Sequence, residues 1–253
     1  MARVLRSLAE WRAERAAMDL PGLRVGFVPT MGALHAGHRS LLERARAEND
    51  RVVMSIFVNP AQFDSPADLE RYPRGLEADL AVAGGLADFV LVPEAGEMYG
   101  DGYRYRVSEH ALSSRLEGAH RPGHFEGVLT VVLKLLNLVR PHRAYFGEKD
   151  RQQLDLVQGM ARALFLPVEI VACPTVRDAD GVALSSRNRR LSPGARSRAA
   201  AFPRILRAAA DAATAVRDLG TAGFGVDYVE DHDGTRLAAV RIEDVRLIDN
   251  VQL

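Results

Sequence analysis

The sequence predicts an α/β protein with a doubly wound parallel sheet and a small C-terminal α+β domain. As far as about residue 176, short β-rich apolar runs alternate with longer runs of helical periodicity. This alternation is typical of parallel β-α-β units. Beyond that point a polar loop, an alanine-rich helix and a tail of alternating character replace it. At 253 residues the chain is long enough for one large core and a smaller second one.

The first part contains five predicted strands and the helices between them. Buried strands are expected at residues 23–29, 51–59, 88–93, 143–147 and 167–173. Helices are expected at residues 38–50, 74–85, 127–141 and 150–165, the third of them ended by Pro141. Crossovers between consecutive parallel strands are nearly always right-handed, so these strands should form one doubly wound sheet.

The second part begins with a polar loop at residues 178–192. A helix is predicted from Pro193, with Ser192 as its N-cap and proline at its first position. Pro203 should kink or split this helix. The tail from residue 226 predicts a small antiparallel sheet that turns at "DHDG". We therefore expect two domains, residues 1–176 and 177–253.

Composition excludes several classes of protein. Lys plus Arg and Asp plus Glu number 33 each, giving a formal net charge of zero, which argues against a general nucleic-acid binder or a membrane-surface protein. The single cysteine, Cys173, excludes an intramolecular disulfide and a multi-cysteine zinc site, and its apolar run predicts a buried thiol. No signal-peptide segment and no run of about 20 apolar residues occurs. We expect a cytoplasmic protein.

Two histidines stand where the first strand turns into a helix. In "VPTMGALHAGHRS", Gly37 lies between His35 and His38. A helix N-terminus presents N–H groups and partial positive charge that attract phosphate, and Gly37 lets a ligand approach the backbone. The motif therefore indicates a phosphate site; a capping turn with surface histidines and a zinc pair are the alternatives. The zinc motif His-Glu-x-x-His has a different spacing and needs a glutamate that is absent here.

Other polar side chains follow the remaining strands. Because ligands of doubly wound folds bind beyond the carboxyl ends of the strands, we expect these groups to converge on one rim. They are Thr30, Met31, His35 and His38; Asn59 and Gln62; Glu148, Lys149, Asp150 and Gln153; and Ser185, Ser186 and Arg187. Taken singly, these residues also fit other interpretations: "GEKD" a charged helix start, "SSR" a solvated loop, and the three amides surface residues. No P-loop, G-x-G-x-x-G or G-x-S-x-G motif occurs, which argues against a P-loop NTPase, a kinase and a dinucleotide dehydrogenase.

Seven short segments occur in a defined order and spacing along the chain. They are "PTMGALHAGH", "SIFVNPAQF", "YPR", "RPGHFEGVLTVVLKL", "FGEKDRQQL", "PTVRDADGVALSSRN" and "RLIDN". Together they resemble the pantothenate synthetase (pantoate–β-alanine ligase) family of the nucleotidyltransferase superfamily. In that superfamily "HAGH" matches the H-x-G-H signature, and "SSRN" stands at the second ATP-binding motif. The resemblance covers about residues 25–188 and returns at the C-terminus, and it implies a Rossmann-like nucleotidyltransferase fold with a C-terminal lid.

The resemblance implies a reaction and a set of site residues. ATP, pantoate and β-alanine would give AMP, pyrophosphate and pantothenate through a pantoyl-adenylate. Its catalytic residues would be His35, His38, Lys149 and Arg187, with a proton-donor role assigned to His38. Gln62 and Gln153 would bind pantoate, Gln62 would also receive β-alanine, and Asp79 matches a position associated with Mg²⁺. ATP would contact Met31, Gly32, Ala33, Leu34, His35, Ala36, Gly37, His38, Gly147, Glu148, Lys149, Asp150, Val176, Leu184, Ser185, Ser186 and Arg187. The family is typically a homodimer.

The chain departs from the family pattern at three places. Arg151 replaces an aromatic residue, Arg189-Arg190 replaces Arg-Tyr, and the region after about Leu206 is shorter than is usual in the family. A nucleotidylyltransferase with a phosphate acceptor would share "HAGH" and "SSRN", and a non-catalytic nucleotide binder would fit the altered segments. A tRNA-charging enzyme is disfavoured by the balanced charge.

Overall fold

The computed structural model describes residues 2–253 and divides into two compact units. The first comprises residues 2–146 and Gln153–Cys173, and the second comprises Gly147–Gln152 and Pro174–Leu253. The sequence-based boundary at residue 176 lies three residues beyond the one at Cys173. It also leaves the short segment Gly147–Gln152 in the first domain, whereas this segment groups with the C-terminal part of the chain.

A six-stranded sheet forms the centre of the first unit. Its order is β1-β4-β3-β2-β5-β6, and the registered pairs among its first five strands are parallel. The strands are β1 (Arg3–Leu5), β2 (Val25–Thr30), β3 (Arg51–Ile56), β4 (Phe89–Leu91), β5 (Arg143–Gly147) and β6 (Glu169–Cys173). The chain winds from β2 through β3 to β4 and then crosses to β5 on the other side of β2. The switch of winding direction therefore lies between β2 and β5, where ligands of such folds bind.

Helices and short 3₁₀ turns connect these strands. The helices are α1 (Leu8–Ala17), α2 (Ala36–Glu48), α3 (Pro66–Arg71), α4 (Leu76–Ala83), α5 (Ala95–Met98), α6 (Glu117–His120), α7 (His124–Val139) and α8 (Arg151–Ala163). The 3₁₀ turns are Pro60–Gln62, Leu112–Ser114 and Glu148–Asp150. No helix within residues 2–253 is long and apolar enough to cross a membrane.

Both faces of the sheet are buried, because successive side chains of a strand point to opposite faces. Phe27 and Val53 belong to one apolar cluster, with Trp11 and most of α7. Their neighbours Val28 and Met54 belong to the other cluster, with the apolar face of α2. The continuous apolar runs of β2 and β3 follow from this double coverage.

The second unit pairs three helices with an antiparallel sheet. Its elements are a 3₁₀ turn (Ser186–Arg190), α9 (Pro193–Ala199), α10 (Ala201–Ala208), α11 (Ala212–Thr221), β7 (Gly225–His232), β8 (Thr235–Ile242) and β9 (Val245–Gln252). Asp233 and Gly234 both have positive φ and form the two-residue turn predicted at "DHDG". A third apolar cluster, which includes Phe202 and Leu219, joins the helices to this sheet.

The predicted fold class is confirmed, with two local corrections. The helix that starts at Pro193 with Ser192 as its N-cap does split, but at Ala200, so that Pro203 falls in the first turn of α10, where its missing N–H costs nothing. Strand β1 and the helices α1, α3, α5, α6 and α11 were not expected. A strand of three residues is too short to show a period in the sequence.

Candidate active site

The turn between β2 and α2 places two imidazole rings side by side. His35 is the N-cap of α2, and its Nδ1 accepts the N–H of Gly37 at 3.1 Å. His38, in the first turn, accepts the N–H of His35 at its own Nδ1, at 3.3 Å. The ring centres lie 4.2 Å apart. The two histidines therefore form a reciprocal capping box in which imidazoles do what a serine and a glutamate usually do.

This capping arrangement fixes the tautomer of both rings. A neutral imidazole carries one donor and one acceptor nitrogen. Since both Nδ1 atoms accept backbone N–H groups, the proton of each neutral ring lies on Nε2. Two imidazole N–H donors thus stand at the N-terminus of a 13-residue helix, whose dipole also favours negative charge. The capping and phosphate-binding interpretations of "HAGH" are compatible, since one nitrogen caps and the other can donate to a ligand.

Asp79 holds the loop that leads to these histidines. Its Oδ1 accepts the N–H of Leu34 at 2.7 Å, and its Oδ2 accepts the N–H of Ala33 at 3.2 Å. Gly32 has a φ of 82°, and a Cβ there would lie 2.8 Å from Asp79 Oδ2. The glycine is thus required both by its conformation and by the close approach of the carboxylate.

Asp79 is buried and is bonded to the backbone of the loop. The residue is 4% exposed, and each carboxylate oxygen already accepts a backbone N–H. Within residues 2–253, no group of three His, Cys, Asp or Glu side chains could hold a metal ion. Asp79 therefore anchors the β2–α2 loop. Since each carboxylate oxygen keeps an acceptor site beyond the N–H that it binds, the expected contact with Mg²⁺ stays a prediction.

Gln62 is oriented by its neighbours in "VNPAQF". Its Oε1 accepts from Asn59 Nδ2 at 3.0 Å, and its Nε2 lies 3.1 Å from the sulfur of Met31. Tyr99 donates to Asn59 Oδ1 at 2.5 Å, and burial raises the pKa of this tyrosine well above its usual value, so it remains a donor. Gln62 is only 8% exposed, and its orientation is fixed through Asn59.

The backbone around Gln62 is held by the start of α7. His124 Nδ1 lies 2.8 Å from the carbonyl oxygen of Gln62, and Arg121 donates to the same oxygen at 3.3 Å. The carbonyl of Gly127 accepts from Asn59 at 3.2 Å. The residue types alone do not predict these roles for Arg121, His124 and Gly127. However, the segment "RPGHFEG" is part of one of the seven segments that resemble the pantothenate synthetase family, and this resemblance points to it.

Gln153, the second predicted pantoate ligand, lies on α8 and is half-buried. The structure brings Met31 to Gln62 and His35 to His38, all in the first unit. Ala36 and Gly37 form the first two positions of α2.

In the second unit, the predicted phosphate ligands occupy two segments. Gly147 precedes the 3₁₀ turn of Glu148, Lys149 and Asp150, which leads into α8. Val176 accepts the N–H of Leu184 at 3.0 Å and closes a short hairpin. This hairpin leads into Ser185, the N-cap of the 3₁₀ turn that contains Ser186, Arg187, Arg189 and Arg190. Arg190 donates to Asp244, while Arg189 is exposed; Arg151 begins α8.

A family model, curated relatives and a solved structure all indicate the same family for this chain. The family model described as Pantoate-beta-alanine ligase matches residues 3–252. The pantothenate synthetase of Bdellovibrio bacteriovorus is 53% identical over 100% of both chains, and that of Legionella pneumophila (strain Corby) is 50% identical over 99% of this chain and 100% of its own. A crystal structure of pantoate-beta-alanine ligase from Francisella tularensis, complexed with beta-gamma ATP and beta-alanine, is 37% identical with a TM-score of 0.94 and covers 100% of this chain and 98% of its own.

These relatives also bear on the C-terminal region. A pantothenate synthetase structure from Thermus thermophilus is 45% identical, with a TM-score of 0.89 and 99% of each chain covered. Since these proteins are matched over nearly their whole length, the short region after Leu206 is shared with them. It is therefore not a peculiarity of this chain.

Proposed function

Because this chain belongs to the pantoate–β-alanine ligase family, we propose that the residues described above bind the substrates of the ligase reaction and stabilise the charge that develops in it. The enzyme joins pantoate to β-alanine with consumption of ATP, through a pantoyl-adenylate, and releases AMP and pyrophosphate. In the first step a pantoate carboxylate oxygen bonds to the α-phosphorus, and the bond to pyrophosphate breaks. In the second step the β-alanine amine attacks the acyl carbon, and AMP leaves.

The paired histidines are the observation that carries this proposal. Both Nδ1 atoms accept backbone N–H groups, so both rings donate from Nε2. Negative charge grows on the phosphate oxygens as pyrophosphate departs, and fixed donors stabilise it without reorganisation. We assign His35 and His38 to this charge. A neutral imidazole N–H can do this by hydrogen bonding, whether or not His38 transfers its proton.

Gln62 and Gln153 are assigned to pantoate. Its hydroxyl and carboxylate groups match the donor and acceptor ends of amide side chains. Gln62 Nε2 contacts a thioether sulfur, a weak acceptor that a substrate oxygen would outcompete. Gln62 is also assigned to the incoming β-alanine, since the amine must reach the same carboxyl carbon. Holding the reactants in place supplies much of the catalysis in such a transfer.

The second unit supplies the cationic and hydroxyl contacts in this proposal. Lys149 and Arg187 would bind phosphate oxygens, Arg187 through its planar fork, and Ser185 and Ser186 would donate hydroxyl groups. The remaining predicted ATP contacts are assigned through backbone groups at Gly147, Glu148, Asp150, Val176 and Leu184. Support comes from the matched "FGEKD" and "LSSRN" segments and from the chemistry of these side chains.

Mg²⁺ is proposed to enter with ATP. This cation keeps several waters and is commonly bound by substrate phosphates with few protein carboxylates, which suits a site in which Asp79 is already engaged. We further propose a cytoplasmic homodimer, and light scattering of the purified protein tests the dimer. A nucleotidylyltransferase reaction is the alternative that shares "HAGH" and "SSRN"; it would yield a dinucleotide-type product instead of AMP and an amide.

The test is pyrophosphate release by the purified enzyme with ATP, Mg²⁺ and pantoate, with and without β-alanine. We expect a single-turnover burst without β-alanine, and continuous formation of AMP and pantothenate with it. His38→Ala should slow adenylation by about 10²–10³-fold, while the Kd for ATP changes much less. Equal losses in rate and binding would contradict the proposed role of His38 in the transition state.

His142→Ala is the matched control. Nδ1 of His142 also accepts a backbone N–H, that of Val25, at 3.1 Å. However, Val25 is the first residue of β2 and lies at the amino end of the strand, away from the edge where ligands bind. This variant should adenylate pantoate at the wild-type rate.

A further inference from the structure

One polar network in the second unit reaches both of the segments that the proposed function assigns to phosphate. Asn250, in β9, is buried, and its side-chain amide donates to the carbonyl oxygens of Glu148 at 2.8 Å and Lys149 at 3.0 Å. These two carbonyls belong to the peptide groups on either side of Lys149. Asn250 therefore fixes the backbone of Lys149, and with it the direction in which the flexible lysine stem leaves the chain.

Asp249 and Arg177 hold Asn250 in turn. Arg177 makes a two-pronged ion pair with Asp249, at 2.7 and 2.8 Å, and also donates to the carbonyl of Asn250 at 3.1 Å. Oδ1 of Asp249 accepts the N–H of Asn250 at 2.8 Å. The Asp249 side chain is 2% exposed. Paired forks of this kind fix geometry as well as charge.

Arg177 also belongs to the hairpin that leads to the second phosphate segment. It pairs with Ala183 across the hairpin and donates to the carbonyl of Gly181 at 3.0 Å. The carbonyl of Ala183 accepts from the side chain of Asn188 at 3.0 Å, and the N–H of Asn188 donates to the carbonyl of Ser185. The base of the Ser185–Asn188 segment is thus tied to the same arginine that holds Asp249.

We propose that Arg177, Asp249 and Asn250 are positioning residues for adenylation, which set Lys149 and the Ser185–Arg187 segment in a fixed relation to each other. The proposal rests on the proposed role of those segments in binding phosphate. A buried ion pair is weak evidence for stability by itself. What distinguishes this one is where its hydrogen bonds end: on the backbone of Glu148 and Lys149, and on Gly181 in the hairpin that precedes Ser185. A displacement of about 1 Å at phosphate ligands can slow a reaction about 10²-fold.

The same unit contains a matched ion pair that lacks this connection. Arg236 is 1% exposed, forks onto Asp231 at 2.7 and 2.9 Å, and donates to the carbonyls of Leu206 and Ala209 at 3.1 and 2.6 Å. Like Arg177, it combines a two-pronged ion pair with hydrogen bonds to main-chain carbonyls, although its own side chain is more deeply buried. Its contacts, however, end on α10 and the residue that follows it. Arg236→Lys should lower the melting temperature and leave kcat/KM for ATP unchanged.

The experiment compares Asn250→Ala and Arg177→Lys with Arg236→Lys, each assayed at the same interval below its own melting temperature. We expect Asn250→Ala and Arg177→Lys to lower kcat/KM for ATP about tenfold or more in pyrophosphate release. The KM for β-alanine should stay within about twofold, because that substrate is assigned to the first unit. If both variants lose stability to the same degree as Arg236→Lys and keep wild-type kcat/KM for ATP, the positioning role is refuted.

A double-mutant cycle separates this inference from the proposed function. If Asn250 acts through Lys149, then Asn250→Ala should have little further effect on kcat/KM for ATP in a Lys149→Ala background. Effects that multiply would show that Asn250 does not act through Lys149 and would overturn the inference. If Lys149→Ala alone leaves adenylation intact, the phosphate role of Lys149 fails instead, and the inference fails with it.

Discussion

Gly127 offers a test of how closely the start of α7 fits the segment that carries Gln62. A Cβ at Gly127 would lie 2.5 Å from the carbonyl carbon of Ala61 and 2.7 Å from the nitrogen of Gln62, and closer still to the oxygen of Ala61. Ordinary contacts of a Cβ begin at 3.4 Å. In Gly127→Ala the two backbones must therefore separate by about 1 Å to relieve the closest contact, and no side-chain rotation can relieve the clash, because all three atoms belong to the main chain.

This separation should impair both stability and catalysis. Overpacking of this kind costs about 1–3 kcal/mol, and replacing a helical glycine by alanine returns about 0.5–1 kcal/mol. We expect a net loss of about 1 kcal/mol in the free energy of unfolding. The hydrogen bond from Asn59 to the carbonyl of Gly127 should lengthen, and Gln62 should move with it. A shift approaching about 1 Å at a substrate ligand corresponds to about a 10²-fold loss of rate.

Two quantities are measured: the rate of pantoate adenylation, detected as pyrophosphate release, and the melting temperature. Gly159→Ala is the control, because Gly159 also lies within a helix, α8, and a Cβ there would meet nothing within 4 Å. It should raise the melting temperature and leave kcat/KM for pantoate unchanged. If Gly127→Ala behaved like Gly159→Ala in both measurements, the close packing of α7 on the Gln62 segment would be refuted.

Three further predictions concern single contacts. Asp79→Asn replaces one acceptor of the β2–α2 loop by an amide donor that faces an N–H, and should lower the free energy of unfolding by about 1–3 kcal/mol. It should also raise the KM for ATP and leave the Mg²⁺ dependence of the rate unchanged. A shifted Mg²⁺ requirement would show that Asp79 is a metal ligand. Hydrogen bonds from the backbone N–H of Tyr105 and from Lys134 lower the pKa of Asp101 from 3.8 to about 2, so this carboxylate stabilises the fold above pH 3.8 and loses that effect as the pH falls towards 2. Asp101→Asn should therefore flatten the acid limb of the melting temperature between those values, and an unchanged limb would contradict the assignment. Arg15→Met removes a buried donor to two carbonyls at the end of α7 and should lower the free energy of unfolding by about 1–3 kcal/mol in urea titrations, leaving kcat unaffected; a loss of kcat without a loss of stability would argue against a capping role.

Much of the fold could be predicted because the sheet is buried on both faces. Strands such as β2 and β3 must then be apolar throughout, which makes them visible as continuous runs. The turn at "DHDG" was predictable because a two-residue hairpin requires positive φ, which glycine adopts easily. In contrast, β1 is three residues long and exists because it pairs with β4, a contact that no local pattern encodes.

The candidate site was predictable in its residue types and not in its connections. The sequence by itself determined that two histidines and a glycine open α2, and that amides, a lysine and an arginine follow other strands. Tertiary structure decided that Asp79 anchors the β2–α2 loop, that α7 supports Gln62, and that Asn250 reaches the backbone of Lys149 from about a hundred residues away. The physical reason is that these roles depend on hydrogen bonds between distant segments. Local propensity and spacing report only on neighbours along the chain, whereas such bonds form only once each unit has folded and brought its distant segments together.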